Sequence, residues 1–311
     1  MSKTAFVFPG QGAQTVGMGK DAYDSRESAR RIFEQANEAL GFDLAAMIFE
    51  GPDSELKQTA NTQPALLTVS TALLHLAKEA GLKADYVAGH SLGEYSALVA
   101  ADALSFEDAV RTVRARGQYM EQAVPSGQGA MAAVLGAERD ELAKLCAAIT
   151  GEGADVELAN INCPGQIVVS GSAAGVQEVV NRGKEAGAKR VIPLEVSGPF
   201  HSSLMKPAAA RLGDTLASLA ITAPSVPLVA NVTACATTDA EEIRSLLVEQ
   251  VYSPVLWEDS VRYLLEQGVT TFVEIGSGTV LAGLIKKIDR TAKVISLNSA
   301  AALEALQTSE D

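Results

Sequence analysis

The pentapeptide Gly89-His90-Ser91-Leu92-Gly93 sets a serine in the G-x-S-x-G spacing of a nucleophile elbow. Tyr86 to Ala88 reads as a short strand entering the motif, and Leu92 to Ala100 as a largely apolar helix leaving it. Two glycines permit a strand-to-helix turn too tight for side chains. Such a turn lifts the Ser91 hydroxyl clear of the backbone and sets it at a helix N-terminus, where free N–H groups favour developing negative charge. The plain alternative is a glycine turn whose serine only caps the helix.

A serine nucleophile needs a base. The chain has three histidines. His75 lies in the apolar run Leu73-Leu74-His75-Leu76 and reads as a core or helix-surface residue. His90 adjoins Ser91, and neighbours on a tight turn diverge. His201, in Ser197-Gly198-Pro199-Phe200-His201, stands at a strand-to-loop transition and is the best partner. An oxyanion needs two donors. The Leu92 N–H follows the nucleophile as the elbow requires. The Gln11 N–H, in the loop Pro9-Gly10-Gln11-Gly12, is the candidate for the second, unless that loop is a plain glycine-rich turn.

One cation is out of place. From Ser105, which with Asp108 forms a variant capping box, a helix runs to about Gln122. Phe106, Ala109, Val110, Val113, Gly117 and Met120 make its apolar stripe. Arg111 and Arg114 fall toward water, whereas Arg116 lies within about 60° of the stripe's centre. A guanidinium there is costly unless it meets an anion. An internal salt bridge or a snorkelling side chain would satisfy it. A carboxylate on the acyl group attacked by Ser91 would satisfy it too.

The elements that must position these residues alternate strand and helix, the mark of an α/β fold. Thr4 to Phe8 is the first strand, within an apolar start that is not a signal peptide. Helices are expected over Ser25 to Leu40 and Gln63 to Lys78, the latter apolar nearly all round and so buried. After the linker Pro125 to Gly129 come a strand (Ala130–Leu135), a helix (Arg139–Ile149), two strands (Val156–Ile161, Gln166–Ser170), a helix (Gly175–Ala186) and a strand (Arg190–Val196). That order is βαββαβ, the ferredoxin-like unit, and suggests a small subdomain at 127–197 inserted into a larger one at 1–126 and 198–311. Strands at Leu228–Val232, Thr271–Ile275 and Lys293–Ser296 alternate with helices at Ala240–Tyr252, Val261–Gln267 and Val280–Ile288, and Gln307 to Asp311 read as a frayed tail.

Composition narrows the class. At 311 residues the chain is 47% hydrophobic and 20% charged, which supplies a full core. Its net charge of −13 argues against nucleic acid, and no apolar run is long enough to span a membrane. Cys146, Cys163 and Cys235 show no metal or disulfide spacing, so a reduced, cytoplasmic setting is expected.

The ordered set Phe8-Pro9-Gly10-Gln11-Gly12-Ala13-Gln14, Gly89 to Glu94, Arg114-Ala115-Arg116-Gly117, Ala159 to Asn162 with Pro164-Gly165-Gln166, Phe200-His201, Gln250, Pro254 to Trp257 and Glu274-Ile275-Gly276 carries a resemblance across nearly the whole chain. The chain resembles the malonyl-CoA:acyl carrier protein transacylases of fatty acid synthesis and the related acyltransferase domains of polyketide synthases.

The resemblance implies an α/β-hydrolase-like large subdomain with a parallel sheet core and an inserted ferredoxin-like one. It implies a Ser91–His201 dyad with no carboxylate third member, Arg116 as a malonate clamp, and Gln11 and Leu92 as the oxyanion hole. The Gln250 backbone carbonyl would orient His201. Gln250 lies near a helix end closed by Pro254, where last-turn carbonyls lack partners. Gln63 and Asn160 would line the pocket, and Phe200 matches malonyl-selective polyketide domains. Malonyl-CoA and holo acyl carrier protein would be the substrates of a ping-pong transfer, with no bound cofactor or metal. The rival is a serine hydrolase or thioesterase. Those enzymes place an acid before a late histidine, and here no histidine follows His201.

Overall fold

The computed structural model describes residues 2–308. Its strands are β1 (Lys3–Phe8), β2 (Tyr86–Gly89), β3 (Gly129–Leu135), β4 (Val156–Cys163), β5 (Gln166–Ser172), β6 (Arg190–Pro193), β7 (Leu228–Val229), β8 (Ala236–Thr237), β9 (Val269–Ile275) and β10 (Lys293–Leu297). They form two sheets, ordered β10-β9-β1-β2-β7-β8 and β4-β5-β3-β6. The first is parallel except for the β7–β8 pair. The second is antiparallel throughout, with β5 between β4 and β3 as a split βαβ requires.

Helices cover both faces of the large sheet, so β1 reads as a continuous apolar run. Its side chains still alternate: Ala5 and Val7 join one core with Val229, Trp257 and Phe272, while Phe6 and Phe8 join the other. The helix Thr59–Glu79 buries 18 of its 21 residues, which is why it lacks a polar face. Its Pro64 has no N–H to give the Ala60 carbonyl, and that carbonyl takes the Arg114 guanidinium at 2.7 Å instead. Arg114 is therefore half-buried against this helix rather than pointing to water. Ser105 caps the helix Phe106–Gln122 by accepting the Asp108 N–H at 3.1 Å.

Several bounds differ from expectation. The strand read as Arg190–Val196 stops at Pro193, which cannot donate to a ladder. Leu194 and Val196 then turn into a cavity. The stretch read as Leu228–Val232 leaves the sheet after Val229, because Ala230 pairs with Cys235 and Asn231 turns inward. The helix read to Tyr252 ends at Gln250. The helices Leu44–Glu50 and Lys206–Ala217 were not expected. Gln307 and Thr308 close the helix Ala300–Thr308, so that part of the expected tail is helical; 309–311 lie outside the described residues.

Candidate active site

Phe8 of β1 pairs with Gly89 of β2, so the Pro9–Gly12 loop and the elbow leave neighbouring parallel strands side by side. The packing there leaves no room for a Cβ. One on Gly89 would lie 1.9 Å from the Gly93 carbonyl carbon, and one on Gly93 would lie 2.1 Å from the Phe8 oxygen. Between them Ser91 sits at φ +50°, a conformation costing a non-glycine residue about 1–3 kcal/mol unless its surroundings impose it.

The Ser91 Oγ lies 2.7 Å from His201 Nε2. His201 comes from the loop before the helix Lys206–Ala217, is 4% exposed, and has a φ of +57°. Its Nδ1 lies 2.8 Å from the Gln250 carbonyl oxygen. A carbonyl only accepts, so Nδ1 carries the proton and Nε2 presents a lone pair to the Ser91 hydroxyl. Burial holds the imidazole far below its usual range, to about 3, and the Arg116 charge adds to this; the Gln250 hydrogen bond opposes it. The imidazole is thus neutral near pH 7, as a base must be.

Arg116 is 1% exposed. Its Nη1 donates to Gln63 Oε1 at 2.8 Å, and its Nη2 donates to Gln250 Oε1 at 2.9 Å and to Ser91 Oγ at 3.1 Å. All three acceptors are neutral. Among the described residues its Nε meets no hydrogen-bond acceptor, and its guanidinium stands 5.7 Å from the Tyr95 ring centre. The cation is therefore buried on amides, a hydroxyl and an aromatic face rather than in a salt bridge.

Gln11, His90, Ser91, Leu92, Arg116, Asn160, Phe200 and His201 line one cavity of about 110 Å³, closed further by Met120, Met131, Leu194 and Val196. Among the described residues, the N–H groups of Gln11 and Leu92 meet no acceptor, which leaves both free for an oxyanion. Gln63 does not line this cavity. It stands behind Arg116, buried, with its Nε2 toward Met120 Sδ at 3.6 Å. His90 also contributes to the cavity lining, but its ring turns away from Ser91 as expected, with its Nε2 on Asn162 Oδ1 at 2.8 Å and its ring 5.8 Å from that of Trp257. His75 is exposed on its helix.

Residues 5–306 match the family described as the acyl transferase domain. The chain belongs to that family. A malonyl CoA-acyl carrier protein transacylase of Bacillus subtilis (strain 168) is 54% identical over 309 residues, covering 99% of this chain and 98% of that protein. The crystal structure of an acyl carrier protein S-malonyltransferase from Vibrio cholerae is similar with a TM-score of 0.95 at 46% identity, covering 98% of this chain and 100% of that one. A type II PKS acyl-carrier protein in complex with its malonyl-transacylase gives a TM-score of 0.95 at 42% identity, covering 99% and 100%.

Three groups in this acyltransferase escaped the sequence reading: Glu94, Asn231 and the Gln250 side chain. Glu94 is buried and accepts the Asn231 N–H at 2.8 Å and Gln250 Nε2 at 3.2 Å. Burial raises its carboxyl to about 7 against the pull of those donors and of Arg116. A lone carboxylate in the apolar helix Gly93–Ala100 was the available signal. Among the described residues no cluster of three or more His, Cys, Asp and Glu could hold a metal ion, and no helix is long and apolar enough to cross a membrane.

Proposed function

We propose that this acyltransferase moves the malonyl group of malonyl-CoA to the phosphopantetheine thiol of acyl carrier protein through a malonyl-Ser91 ester, in fatty acid or polyketide synthesis. The observation that carries the reading is the buried Arg116 cation, one hydrogen bond from the nucleophile and without an anionic partner among its acceptors. A carboxylate on the acyl group supplies the missing charge.

His201 Nε2 takes the Ser91 proton as Oγ attacks the thioester carbon. The oxyanion is met by the N–H groups of Gln11 and Leu92. The C–S bond breaks, and the CoA sulfur leaves with the proton from Nε2. The carrier thiol then gives its proton to Nε2 and attacks the ester, and Ser91 departs with that proton. Asn160 and Phe200 flank the acyl chain, and Gln63 holds Arg116. The two thioesters are of similar energy, so the transfer needs no outside driving force, and the protein has to stabilise the oxyanion and exclude water. The division into 1–126 with 198–311 and 127–197, a cytoplasmic setting, and the absence of nucleic-acid or membrane partners belong to the same proposal.

The test is intact-protein mass after brief mixing with malonyl-CoA, followed by addition of holo acyl carrier protein. A malonyl adduct on the wild type, none on Ser91→Ala, and its passage to the carrier are expected. Release as free malonate would favour a hydrolase, and an adduct on Ser91→Ala would remove the nucleophile assignment.

A further inference from the structure

Asn231 makes contacts that the transfer mechanism leaves unused. Its Oδ1 accepts the Ser91 N–H at 2.7 Å, and its Nδ2 donates to the Gly89 carbonyl at 2.7 Å. One planar amide thus ties the peptide groups on either side of His90. The residue is fully buried. It stands two positions beyond β7, which pairs with β2, so it reaches the elbow from the neighbouring strand end. The chain then folds back through the Ala230–Cys235 pair. We propose that Asn231 is the positioning residue that holds Ser91 in its left-handed turn, with Glu94 as its anchor.

A non-glycine residue keeps a positive φ only where its surroundings over-determine it. Here the Ser91 N–H and the Gly89 carbonyl are both claimed by Asn231. Gln250 Nε2 completes the hold from the other side, at 3.1 Å from the Ser91 carbonyl and 3.3 Å from Asn231 Oδ1. Glu94, three residues after the nucleophile, fixes the Asn231 backbone and Gln250 Nε2 with a single carboxylate oxygen. The role needs an acceptor and a donor on one short side chain. Aspartate would keep the acceptor, lose the donor, and set a second carboxyl beside Glu94. Because the Ser91 N–H is taken, it is not an oxyanion donor, which leaves that task to Gln11 and Leu92.

The inference rests on Ser91 being the acylated residue. The experiment measures Ser91 acylation by malonyl-CoA in Asn231→Ala, Asn231→Asp and Glu94→Gln, with KM and thermal midpoint, and inactivation by phenylmethanesulfonyl fluoride. That reagent is neutral and makes no use of Arg116. In Asn231→Ala both acylation and sulfonylation should slow by about a hundredfold, the cost of an ångström-scale misplacement. KM should stay close to the wild-type value, since Arg116 is untouched. Asn231→Asp and Glu94→Gln, each keeping part of the network, should lie between. A folded Asn231→Ala with wild-type rates overturns the proposal. If that variant does not fold, wild-type rates in Asn231→Asp overturn it. Ser91→Ala runs alongside: an adduct there would sink the functional reading itself, whereas normal Asn231 variants beside an inert Ser91→Ala sink only this inference.

Discussion

Gln250 holds His201 and Arg116 with two different parts of one residue. Its backbone carbonyl accepts from His201 Nδ1 at 2.8 Å, and its side-chain Oε1 accepts from Arg116 at 2.9 Å. The carbonyl belongs to the last residue of the helix Ala240–Gln250, where no intrahelical N–H remains to take it. Gln250→Ala therefore keeps the base oriented and loosens the arginine. Removing one hydrogen bond to a charged group should cost about 1.5–3 kcal/mol, seen chiefly as a raised KM for malonyl-CoA. A fall in kcat with KM unchanged would mean the side chain acts through the Ser91 turn, which its Nε2 also holds, rather than through Arg116.

His201→Ala should slow acylation of Ser91 and transfer to the carrier alike, because the proposed mechanism uses one imidazole in both steps. Single-turnover rates for each half-reaction, measured separately, decide this. If only one half-reaction slows, a second base acts in the other.

The pH dependence follows from the burial of His201. Its conjugate acid is held to about 3, so the base form persists well below the usual imidazole range. The acylation rate should therefore show no imidazole inflection near pH 6.5. The same shift sets a stability trend. The unfolded chain binds this proton below its ordinary value while the folded chain does not, so the His201 contribution to stability weakens as pH falls from about 6.5 toward 3. Rapid-quench acylation between pH 5 and 8 in wild type and Glu94→Gln is the measurement. An inflection near 6.5 present in both would show that the imidazole is not held low.

Local spacing made much of this site legible. The elbow, the capping serine at 105 and the apolar stripe around Arg116 are patterns within a few residues, and periodicity or turn chemistry exposes them. Asn231 and Glu94 meet only because β7 lies beside β2, a pairing of segments about 140 residues apart that no local pattern encodes. Gln63 shows the same limit. Its place on a buried helix was readable, but its standing behind Arg116 depends on how two helices cross. In the fold, Arg190 to Val196 continued as apolar alternation, and tertiary packing ended the strand at Pro193 by drawing Leu194 and Val196 to the cavity.

Arg116→Ala should lose malonyl and gain relative use of neutral acyl groups such as acetyl. The wild type facing acetyl-CoA keeps a buried cation whose hydrogen-bond acceptors are all neutral, whereas the variant has no cation to satisfy. Loss of a charge-assisted pair should cost roughly 2–4 kcal/mol of transition-state binding for malonyl. The check is kcat/KM for malonyl-CoA and acetyl-CoA in both proteins. Equal losses for the two substrates would make Arg116 structural.

Phe200 immediately precedes the base and contributes to the cavity wall, 5% exposed. A ring there leaves little room for a methyl branch on the acyl α-carbon, so malonyl should be preferred to methylmalonyl. The ring also packs beside Gly198, where an added Cβ would come within 3.1 Å of it, so the turn that carries His201 leans on Phe200 as well. These two roles separate kinetically. One methyl group in a pocket is worth about 1–3 kcal/mol, roughly tenfold to two-hundredfold in discrimination. If the ring reads the substrate, Phe200→Ser should raise methylmalonyl transfer relative to malonyl by up to that factor. If the ring only supports the turn, His201 shifts equally for both substrates and both rates fall together. The ratio of kcat/KM for methylmalonyl-CoA and malonyl-CoA, in wild type and variant, reads the difference. We expect the ratio to rise while the malonyl rate drops, because the wall and the support are the same ring; an unchanged ratio would leave Phe200 with the support role alone.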